Sequence, residues 1–396
     1  MLTLPNKLPN VGTTIFTVMS KLAADVGALN LAQGFPSFAA DPHLLDLVNQ
    51  AMRANHNQYA PMAGVMVLRE AISQKTVDCY GVSYDPDTEI TVTSGATEAL
   101  FAAITAVVQS EPNGTGPDEA IVFEPAYDCY VPAIELAGGQ PVYISLTPPD
   151  YAIDWAEVAT KITDRTRLVV VNTPHNPTGH VWIDADLNAL AQLVQDRNLF
   201  VVADEVYEHI TFDRYAGAGR VHRSLMQHPV LRERTFVIGS FGKTFHITGW
   251  KIGYCLAPKA LTDAFRKIHQ FLTFSVSTPM QYALAEYLRN PMTYRSLSTF
   301  YEQKRDTFLA SIAESRFVFT PSEGTFFQNV SYADITHEPD DELAIRLTHE
   351  IGVASIPTSA FYHQKTDHHI LRFCFAKDDD TLVKAGERLT KWSKEK

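Results

Sequence analysis

Residues 199–207, LFVVADEVY, and residues 235–243, TFVIGSFGK, decide the fold, because each is an apolar, largely β-branched run that ends in polar side chains. Short apolar runs bounded by turn residues are typical of strands buried on both faces of a sheet. Helical stretches such as ATEALFAAITAVVQ (96–109) alternate with these runs. The alternation predicts an α/β fold with a mostly parallel sheet covered by helices. Three further strand runs are EITVTSG (89–95), EAIVFEP (119–125) and RLVVVNTP (167–174).

The chain is long enough for two domains. It has 396 residues, of which 45% are hydrophobic, so the apolar material exceeds what one small core needs. After about residue 285 the pattern changes to a long helix, short strands and a terminal amphipathic helix, which predicts a smaller α+β domain. We expect a large domain over 41–285, a small domain over 286–396, and an N-terminal segment over 1–40 that packs with the small domain.

Charge and composition exclude several classes of partner. The formal net charge is −12, which argues against nucleic acid and anionic membranes because both select basic surfaces. No apolar run is long enough to span a bilayer, and the N-terminal residues lack the layout of a signal peptide, so we expect a cytoplasmic enzyme. The cysteines make no Cys-x-x-Cys pair, so neither a metal site nor a disulfide framework is expected: Cys79, Cys129, Cys255 and Cys374.

Lys243 directly follows a predicted buried strand and stands beside Gly242. Ligands of open α/β sheets bind beyond the carboxyl ends of the strands. A lysine there can be desolvated, which makes its amine a usable nucleophile near neutral pH. Local sequence alone is equally compatible with a solvated loop lysine, because lysine is usually exposed.

Two other strand ends are polar. The loop NTPHNPTG (172–179) contains two proline steps that fix an extended turn and can aim Asn176, although a rigid turn alone would explain it. Asp204 follows five apolar residues, and a carboxylate buried there needs a cationic partner.

The segment Thr93 to Glu98 joins a strand to an Ala- and Leu-rich helix. Free N–H groups of Gly95, Ala96 and Thr97 at a helix N-terminus would form an anion cradle, and glycine permits close approach. As a bare helix cap the segment is common. A phosphate bound there would need Ser240 or Lys251 nearby.

Together and in this order, the four segments resemble those of the class I/II aminotransferases, which are fold-type-I enzymes that depend on pyridoxal phosphate. The resemblance covers nearly the whole chain and implies a seven-stranded, mostly parallel sheet in the large domain. It is nearest to the branch of kynurenine aminotransferases, glutamine transaminase K and bacterial methionine aminotransferases. The stretches that carry the branch resemblance are TTIFTVMSKLA (13–23), LAQGFPSF (31–38), NQYAPMAG (57–64), HQFLTFSVSTP (269–279) and LRFCFAK (371–377).

The resemblance implies a role for each cofactor-site residue. Lys243 would join pyridoxal 5′-phosphate covalently and later act as the base that moves a proton between the substrate Cα and C4′ of the cofactor. Asp204 would pair with the pyridine nitrogen, and Tyr207 with Asn176 would hydrogen-bond the 3′-oxygen. Tyr127 would stack on the ring. The phosphate would be held by Gly95, Ala96, Thr97, Ser240, Lys251 and Tyr59 of the partner subunit, which implies a homodimer with shared active sites.

The resemblance also implies a substrate site. Arg372 would bind the α-carboxylate in a bidentate pair, assisted by Gly34 and Asn176. An ordinary salt bridge between domains is the alternative explanation for this arginine. No second arginine is identifiable for a dicarboxylate side chain. An aromatic pocket suited to thioether and aromatic side chains would be formed by Phe16, Phe35, Tyr59, Tyr127 and Phe274 of the partner subunit.

The implied function is transfer of the α-amino group of methionine, and of aromatic, other apolar or glutamine-like amino acids, to a 2-oxo acid. A carbon–sulfur β-lyase would use the same cofactor residues, so sequence does not separate the two. A non-catalytic regulator would carry a basic DNA-binding module ahead of the cofactor domain, and an acidic chain is a poor candidate. A Rossmann dehydrogenase would need a glycine fingerprint after the first strand, which is lacking.

Overall fold

The computed structural model of the protein describes residues 6–112, 114, 116–212 and 222–396, and its centre is a seven-stranded sheet. The strand order is β2-β8-β7-β6-β5-β3-β4, and only β8 runs antiparallel to its neighbours. The predicted mostly parallel sheet is therefore confirmed. The strands are β1 (Leu29–Asn30), β2 (Ile90–Thr93), β3 (Glu119–Glu124), β4 (Gln140–Ser145), β5 (Thr166–Asn172), β6 (Phe200–Asp204), β7 (Thr235–Ser240), β8 (Gly253–Leu256), β9 (Phe327–Ser331), β10 (Val353–Ala354), β11 (Ile356–Pro357) and β12 (Ile370–Cys374).

Helices cover the sheet and fill the remainder of the described chain. The α-helices are α1 (Ile15–Val26), α2 (Pro42–Arg53), α3 (Met66–Tyr80), α4 (Gly95–Val107), α5 (Tyr130–Leu136), α6 (Trp155–Lys161), α7 (Asp184–Arg197), α8 (Pro229–Arg232), α9 (Phe241–Thr244), α10 (Lys259–Leu272), α11 (Thr278–Tyr287), α12 (Met292–Arg295), α13 (Leu297–Ile312), α14 (Asp340–Glu350) and α15 (Asp379–Glu395). Short 3-10 helices span Leu225–Gln227, Thr248–Trp250 and Thr358–Phe361. No helix of the described residues is long and apolar enough to cross a membrane.

The central strands β5, β6 and β7 contain continuous apolar runs because both faces of the sheet are covered there. In β5, Val169 and Val171 pack into one buried cluster with α7, whereas Leu168 and Val170 pack into another with α4. Alternate residues of a strand point to opposite faces, so a strand between two helical layers needs apolar residues at every position. This explains the continuous apolar runs from which the sheet was predicted.

A second, three-stranded antiparallel sheet has the order β11-β12-β9. The N-terminal segment meets the same part of the chain, since β1 pairs in parallel with β10 through Leu29 with Val353 and Asn30 with Ala354. The division at residues 40 and 285 stays a prediction, and residues 1–5 of its first segment lie outside the described residues.

Gly253, at the start of β8, lies against the first turn of α4. A Cβ atom at this position would stand 2.8 Å from the carbonyl oxygen of Gly239, 2.9 Å from the amide nitrogen of Ala96 and 2.9 Å from the carbonyl carbon of Gly95. All three atoms belong to backbone, so no side-chain rotation relieves the contact. Glycine at 253 therefore allows β8 and α4 to approach each other.

We predict that Gly253→Ala lowers the free energy of unfolding by about 1–3 kcal/mol, because overpacking against backbone forces the neighbouring elements apart. Urea unfolding followed by circular dichroism measures the change. Gly249→Ala is the matched control, since a Cβ atom there meets no atom within 4 Å. Equal losses in the two variants would contradict the close-approach argument.

Candidate active site

A cavity of about 310 Å³ opens at the carboxyl ends of β5, β6 and β7, where Asn172, Asp204 and Ser240 end their strands. Asn172 and Asp204 are register partners, so their side chains start from neighbouring points. The cavity is lined by every predicted site residue except Tyr59, Phe35 and Phe274, namely by Phe16, Gly34, Gly95, Ala96, Thr97, Tyr127, Asn176, Asp204, Tyr207, Ser240, Lys243, Lys251 and Arg372. The structure thus gathers residues from sequence positions 16 to 372 into one site.

Lys243 lies in α9, directly after β7, and its side chain faces this cavity. Its Nζ atom donates a hydrogen bond to the carbonyl oxygen of Gly34 at 2.9 Å and lies 5.6 Å from the centre of the Tyr207 ring. Burial lowers the pKa of the Lys243 amine to about 8. Lys243 therefore matches the desolvated lysine and not the solvated loop lysine. Its neutral form is accessible near neutral pH.

Asp204 is 4% exposed at the end of β6. Its Oδ2 atom accepts a hydrogen bond from the Tyr130 hydroxyl at 2.7 Å, and its Oδ1 atom accepts one from the Val206 amide at 3.3 Å. Burial raises the pKa of the Asp204 carboxyl to about 6, against the opposing effects of the Tyr130 hydroxyl and the Lys243 charge. The carboxylate is poised to pair with a cation that enters the cavity.

Arg372, on β12, is fully buried, yet it forms no salt bridge with any described residue. Its two terminal nitrogens donate to Oδ1 of Asn176 at 2.8 Å and to the carbonyl oxygen of Ala32 at 3.1 Å. Its Nε–H finds no partner among the described residues. The described residues thus do not form the alternative, an ordinary salt bridge between domains. The free donor suits an incoming carboxylate.

An aromatic ring and a hydrogen-bonded asparagine hold the guanidinium of Arg372 in place. The ring of Phe327 lies beneath it, with 3.9 Å between the guanidinium carbon and the ring centre. Asn172 fixes Asn176, because its Oδ1 atom accepts from the Asn176 amide at 2.7 Å while its Nδ2 donates to the Asp204 carbonyl at 2.8 Å. Burial lowers the pKa of Arg372 to about 10, so the group remains a cation at neutral pH.

The first turn of α4 has the features of an anion site. Gly95 has φ of +73°, and a Cβ atom there would stand 3.3 Å from Nζ of Lys251. The Ser94 side chain makes no capping hydrogen bond, which leaves the first amides of the helix available to a ligand. Ser240 ends the neighbouring strand and lines the same cavity. A phosphate here would meet amide donors and a lysine charge together.

The two predicted tyrosines lie on the walls of the cavity. Tyr207 packs edge-on against the Phe326 ring at 5.1 Å, and burial raises the pKa of its hydroxyl well above the usual range. Tyr127 packs edge-on against Tyr130 at 5.7 Å, and burial raises the pKa of its hydroxyl well above the usual range. Both phenols are therefore neutral hydrogen-bonding groups at physiological pH.

Tyr59 and Phe35 lie outside the cavity lining. Tyr59 is 85% exposed, with its ring 5.8 Å from that of Phe274. Phe35 is 44% exposed, and its carbonyl oxygen accepts a hydrogen bond from Nζ of Lys377 at 2.9 Å. The contact of Tyr59 with a partner's site and that of Phe35 with substrate stay predictions.

Sequence reasoning missed three residues that shape the site: Tyr130, Asn172 and Phe327. Asn172 was part of the quoted NTPHNPTG loop, and its position at the end of an apolar run was the available signal. Tyr130 lies three residues after Tyr127, on the helix that follows β3. Phe327 carried no local signal, because its contact with Arg372 depends on pairing between β9 and β12.

The residues present fit pyridoxal phosphate, the cofactor that the resemblance implies. The open first turn of α4 with Lys251 suits its phosphate, and the buried Asp204 carboxylate suits a protonated ring nitrogen. The Lys243 amine suits its aldehyde. Arg372, whose Nε–H has no partner among the described residues, lines the same cavity and suits a substrate carboxylate.

We predict that the reactivity of Lys243 in cofactor-free protein rises through about pH 8 and then levels off, because the neutral amine is the nucleophile and its pKa is lowered from 10.5 to about 8. Competitive labelling with trace acetic anhydride, quantified by mass spectrometry from pH 6 to 11 in steps, measures it; an ordinary lysine keeps gaining reactivity to about pH 10.4. A Lys243 profile that matches the ordinary one would contradict the desolvation argument.

Comparison with known proteins agrees with this geometry. The family model of aminotransferase class I and II matches residues 26–389. Methionine aminotransferase of Escherichia coli K12 is 50% identical over 385 residues, covering 97% of each chain, and kynurenine–oxoglutarate transaminase of Dictyostelium discoideum is 36% identical, covering 97% of this chain and 95% of the relative. The crystal structure of YbdL from Escherichia coli, identified as a methionine aminotransferase, matches with a TM-score of 0.94 at 49% identity, covering 99% of this chain and all of that one. The resemblance and the fold-type-I prediction are confirmed: the chain belongs to the class I and II aminotransferases, whose cofactor is pyridoxal phosphate.

Proposed function

We propose that the protein transfers the α-amino group of methionine, and of aromatic, other apolar or glutamine-like amino acids, to a 2-oxo acid, with pyridoxal phosphate bound covalently to Lys243. The observation that carries the proposal is one cavity that holds both a desolvated lysine amine and a buried arginine with a free N–H donor. The methionine and kynurenine transaminases among its relatives support the substrate class.

In this proposal each residue of the cavity has one task toward the cofactor. Bound there, the cofactor supplies an aldehyde that takes up the amino group and an electron-poor ring that withdraws charge from the substrate Cα. Asp204 would keep the ring nitrogen protonated, and Tyr207 and Asn176 would donate hydrogen bonds to the 3′-oxygen. Tyr127 covers one face of the ring. The phosphate is held by the backbone of Gly95, Ala96 and Thr97 with Ser240 and Lys251.

Arg372 and Lys243 then divide the work on the substrate. The Arg372 guanidinium binds the α-carboxylate, and the Asn176 contact fixes the plane of its fork. Gly34 lines the same part of the cavity. With the carboxylate fixed, the Cα–H bond would be turned toward the Lys243 amine, which would take the proton from Cα and return one to C4′ of the cofactor. A lysine pKa of about 8 suits both steps, because the base must release as well as accept the proton near neutral pH.

The walls of the cavity support an apolar substrate side chain. Phe16, Leu100 and Phe327 line it, and thioether sulfur packs favourably on aromatic rings. Arg372 is the only arginine among the described lining residues, so a dicarboxylate side chain would find no second arginine. Methionine and aromatic amino acids are therefore better matched than aspartate.

We also propose a cytoplasmic homodimer. Four large apolar side chains near one surface loop are exposed, and contiguous apolar surface marks interfaces. They are Tyr59 at 85%, Phe271 at 86%, Leu272 at 54% and Phe274 at 46%. A second copy packed here would cover these side chains and bring Tyr59 of one subunit to the proposed phosphate site of the other.

The proposed division at residues 40 and 285 would allow the two domains to close on the substrate, because Lys243 and Arg372 lie on opposite sides of it.

Adding L-methionine to the cofactor-loaded protein without any 2-oxo acid should release the corresponding 2-oxo acid at up to one equivalent per site. Chromatography of the products, together with the cofactor absorbance, measures this half-reaction. Thiol and ammonia would instead indicate the β-lyase.

In Lys243→Ala the cofactor should bind without covalent attachment and turnover should be lost; unchanged turnover would end the proposed mechanism.

Arg372→Lys should raise KM for α-amino acids at least about tenfold more than KM for amines that lack the carboxylate, because a lysine cannot form the bidentate pair. Arg305→Lys is a matched control, since Arg305 is also fully buried but does not line the cavity. Steady-state kinetics on both substrate classes give the ratio. Equal changes for the two classes in Arg372→Lys would remove the assigned role.

A further inference from the structure

His269 is a fully buried histidine in the last turn of α10, away from the cavity lining. Its Nδ1 atom lies 2.9 Å from Oε1 of Glu98, and its Nε2 atom lies 2.9 Å from the carbonyl oxygen of Met62. A carbonyl oxygen and an ionised carboxylate only accept hydrogen bonds. With Glu98 ionised, both ring nitrogens must carry a proton, and the ring is a buried imidazolium.

The surroundings favour the ionised form of Glu98. Its other oxygen, Oε2, accepts a hydrogen bond from the Ser94 amide at 3.1 Å. It also stands in the first turn of α4, where the helix dipole stabilises negative charge. A buried carboxylate persists when a cation and further donors compensate it, and His269 with the Ser94 amide provides both.

On one side the ion pair fixes the proposed phosphate site. The Glu98 side chain reaches back to Ser94 and closes the turn that presents Gly95, Ala96 and Thr97 to the cavity. Any shift of Glu98 would be transmitted through this turn to the amides. His269 thus supports the phosphate-binding backbone without touching the ligand.

On the other side it fixes the loop that carries Tyr59. Met62 belongs to residues 57–64, which are part of the loop between α2 and α3. The segment after α10 holds the same loop at two further points, from the Ser275 hydroxyl to the Ala60 carbonyl at 3.0 Å and from the Thr278 hydroxyl to the Gln58 carbonyl at 2.5 Å. Of the three residues that contact this loop, His269, Ser275 and Thr278, His269 is the one that also contacts α4, through Glu98.

We propose that His269 is a positioning residue for the cofactor phosphate: its imidazolium ties the first turn of α4, through Glu98, to the Tyr59 loop, through Met62. This inference rests on the proposed function, in which the α4 turn holds the phosphate and Tyr59 reaches the partner's site. It couples phosphate retention in one site to the placement of the tyrosine offered to the other.

The test compares cofactor binding by His269→Gln with that of the unchanged protein. A glutamine keeps polar atoms but loses the charge and one donor, so we expect pyridoxal phosphate to bind roughly tenfold more weakly, as for loss of a group that orients a ligand-binding residue. Binding of pyridoxal, which lacks the phosphate, should change little. A general loss of structure would weaken both ligands, so the ratio of the two dissociation constants isolates the phosphate effect.

Glu98→Gln is the second variant, and it should weaken pyridoxal phosphate binding in the same direction. If both groups act through one ion pair, the double variant should lose little more than either single variant. His363→Gln is the matched control, because Nδ1 of His363 also lies 2.9 Å from a glutamate, Glu124, outside the cavity lining. His363→Gln should retain the original ratio of the two dissociation constants.

Sedimentation velocity follows dimer dissociation, which should occur at higher protein concentration in His269→Gln.

Three outcomes are distinguishable. An unchanged binding ratio in both His269→Gln and Glu98→Gln, with unchanged self-association, overturns the positioning role while leaving the proposed function intact. The same loss in His363→Gln also overturns it. Failure of the unchanged protein to bind pyridoxal phosphate through Lys243 would instead refute the proposed function itself.

Discussion

The buried guanidinium of Arg372 is the constraint on which the site depends. A charge taken out of water is costly unless it is compensated, and here no described carboxylate forms a salt bridge with it, although Asp128 is near enough to interact with its charge. Asn176, the Ala32 carbonyl and the Phe327 ring stabilise the buried charge, and a desolvated cation–π contact contributes about 2 kcal/mol. An unsatisfied buried donor costs about 1–3 kcal/mol, so the free Nε–H is a stability loss that an entering carboxylate would recover.

The cavity is locally cationic in an acidic protein. Lys243, Lys251 and Arg372 line it, against one described carboxylate, Asp204, whereas the whole chain has a net charge of −12. A phosphate and a carboxylate together would reverse this excess. The low dielectric of the site strengthens each pairing.

The sequence was informative where chemistry is local and silent where it depends on long-range pairing. Apolar runs that end in polar residues were sufficient to predict β2, β3, β5, β6 and β7 and the edge where their side chains meet. The edge strand β4 is half-exposed and lacks the continuous apolar pattern, so the apolar runs did not predict it. Tyr130 and Phe327 were missed because Asp204 and Arg372, their partners, lie 74 and 45 positions away along the chain.

Strand β8 leads the chain away from Lys251 at the proposed phosphate site, and the apolar runs did not predict this strand. It is inserted between β2 and β7 and runs against both, so Gly253 at its start pairs with Thr93 and Ser240 at the ends of its neighbours. A parallel strand would begin at the opposite edge of the sheet and carry Lys251 away from the cavity. The antiparallel direction of one strand, with a glycine where it meets α4, thus brings Lys251 to the helix N-terminus. The lysine charge and the amide donors are contributed by separate parts of the chain, and only the sheet order joins them.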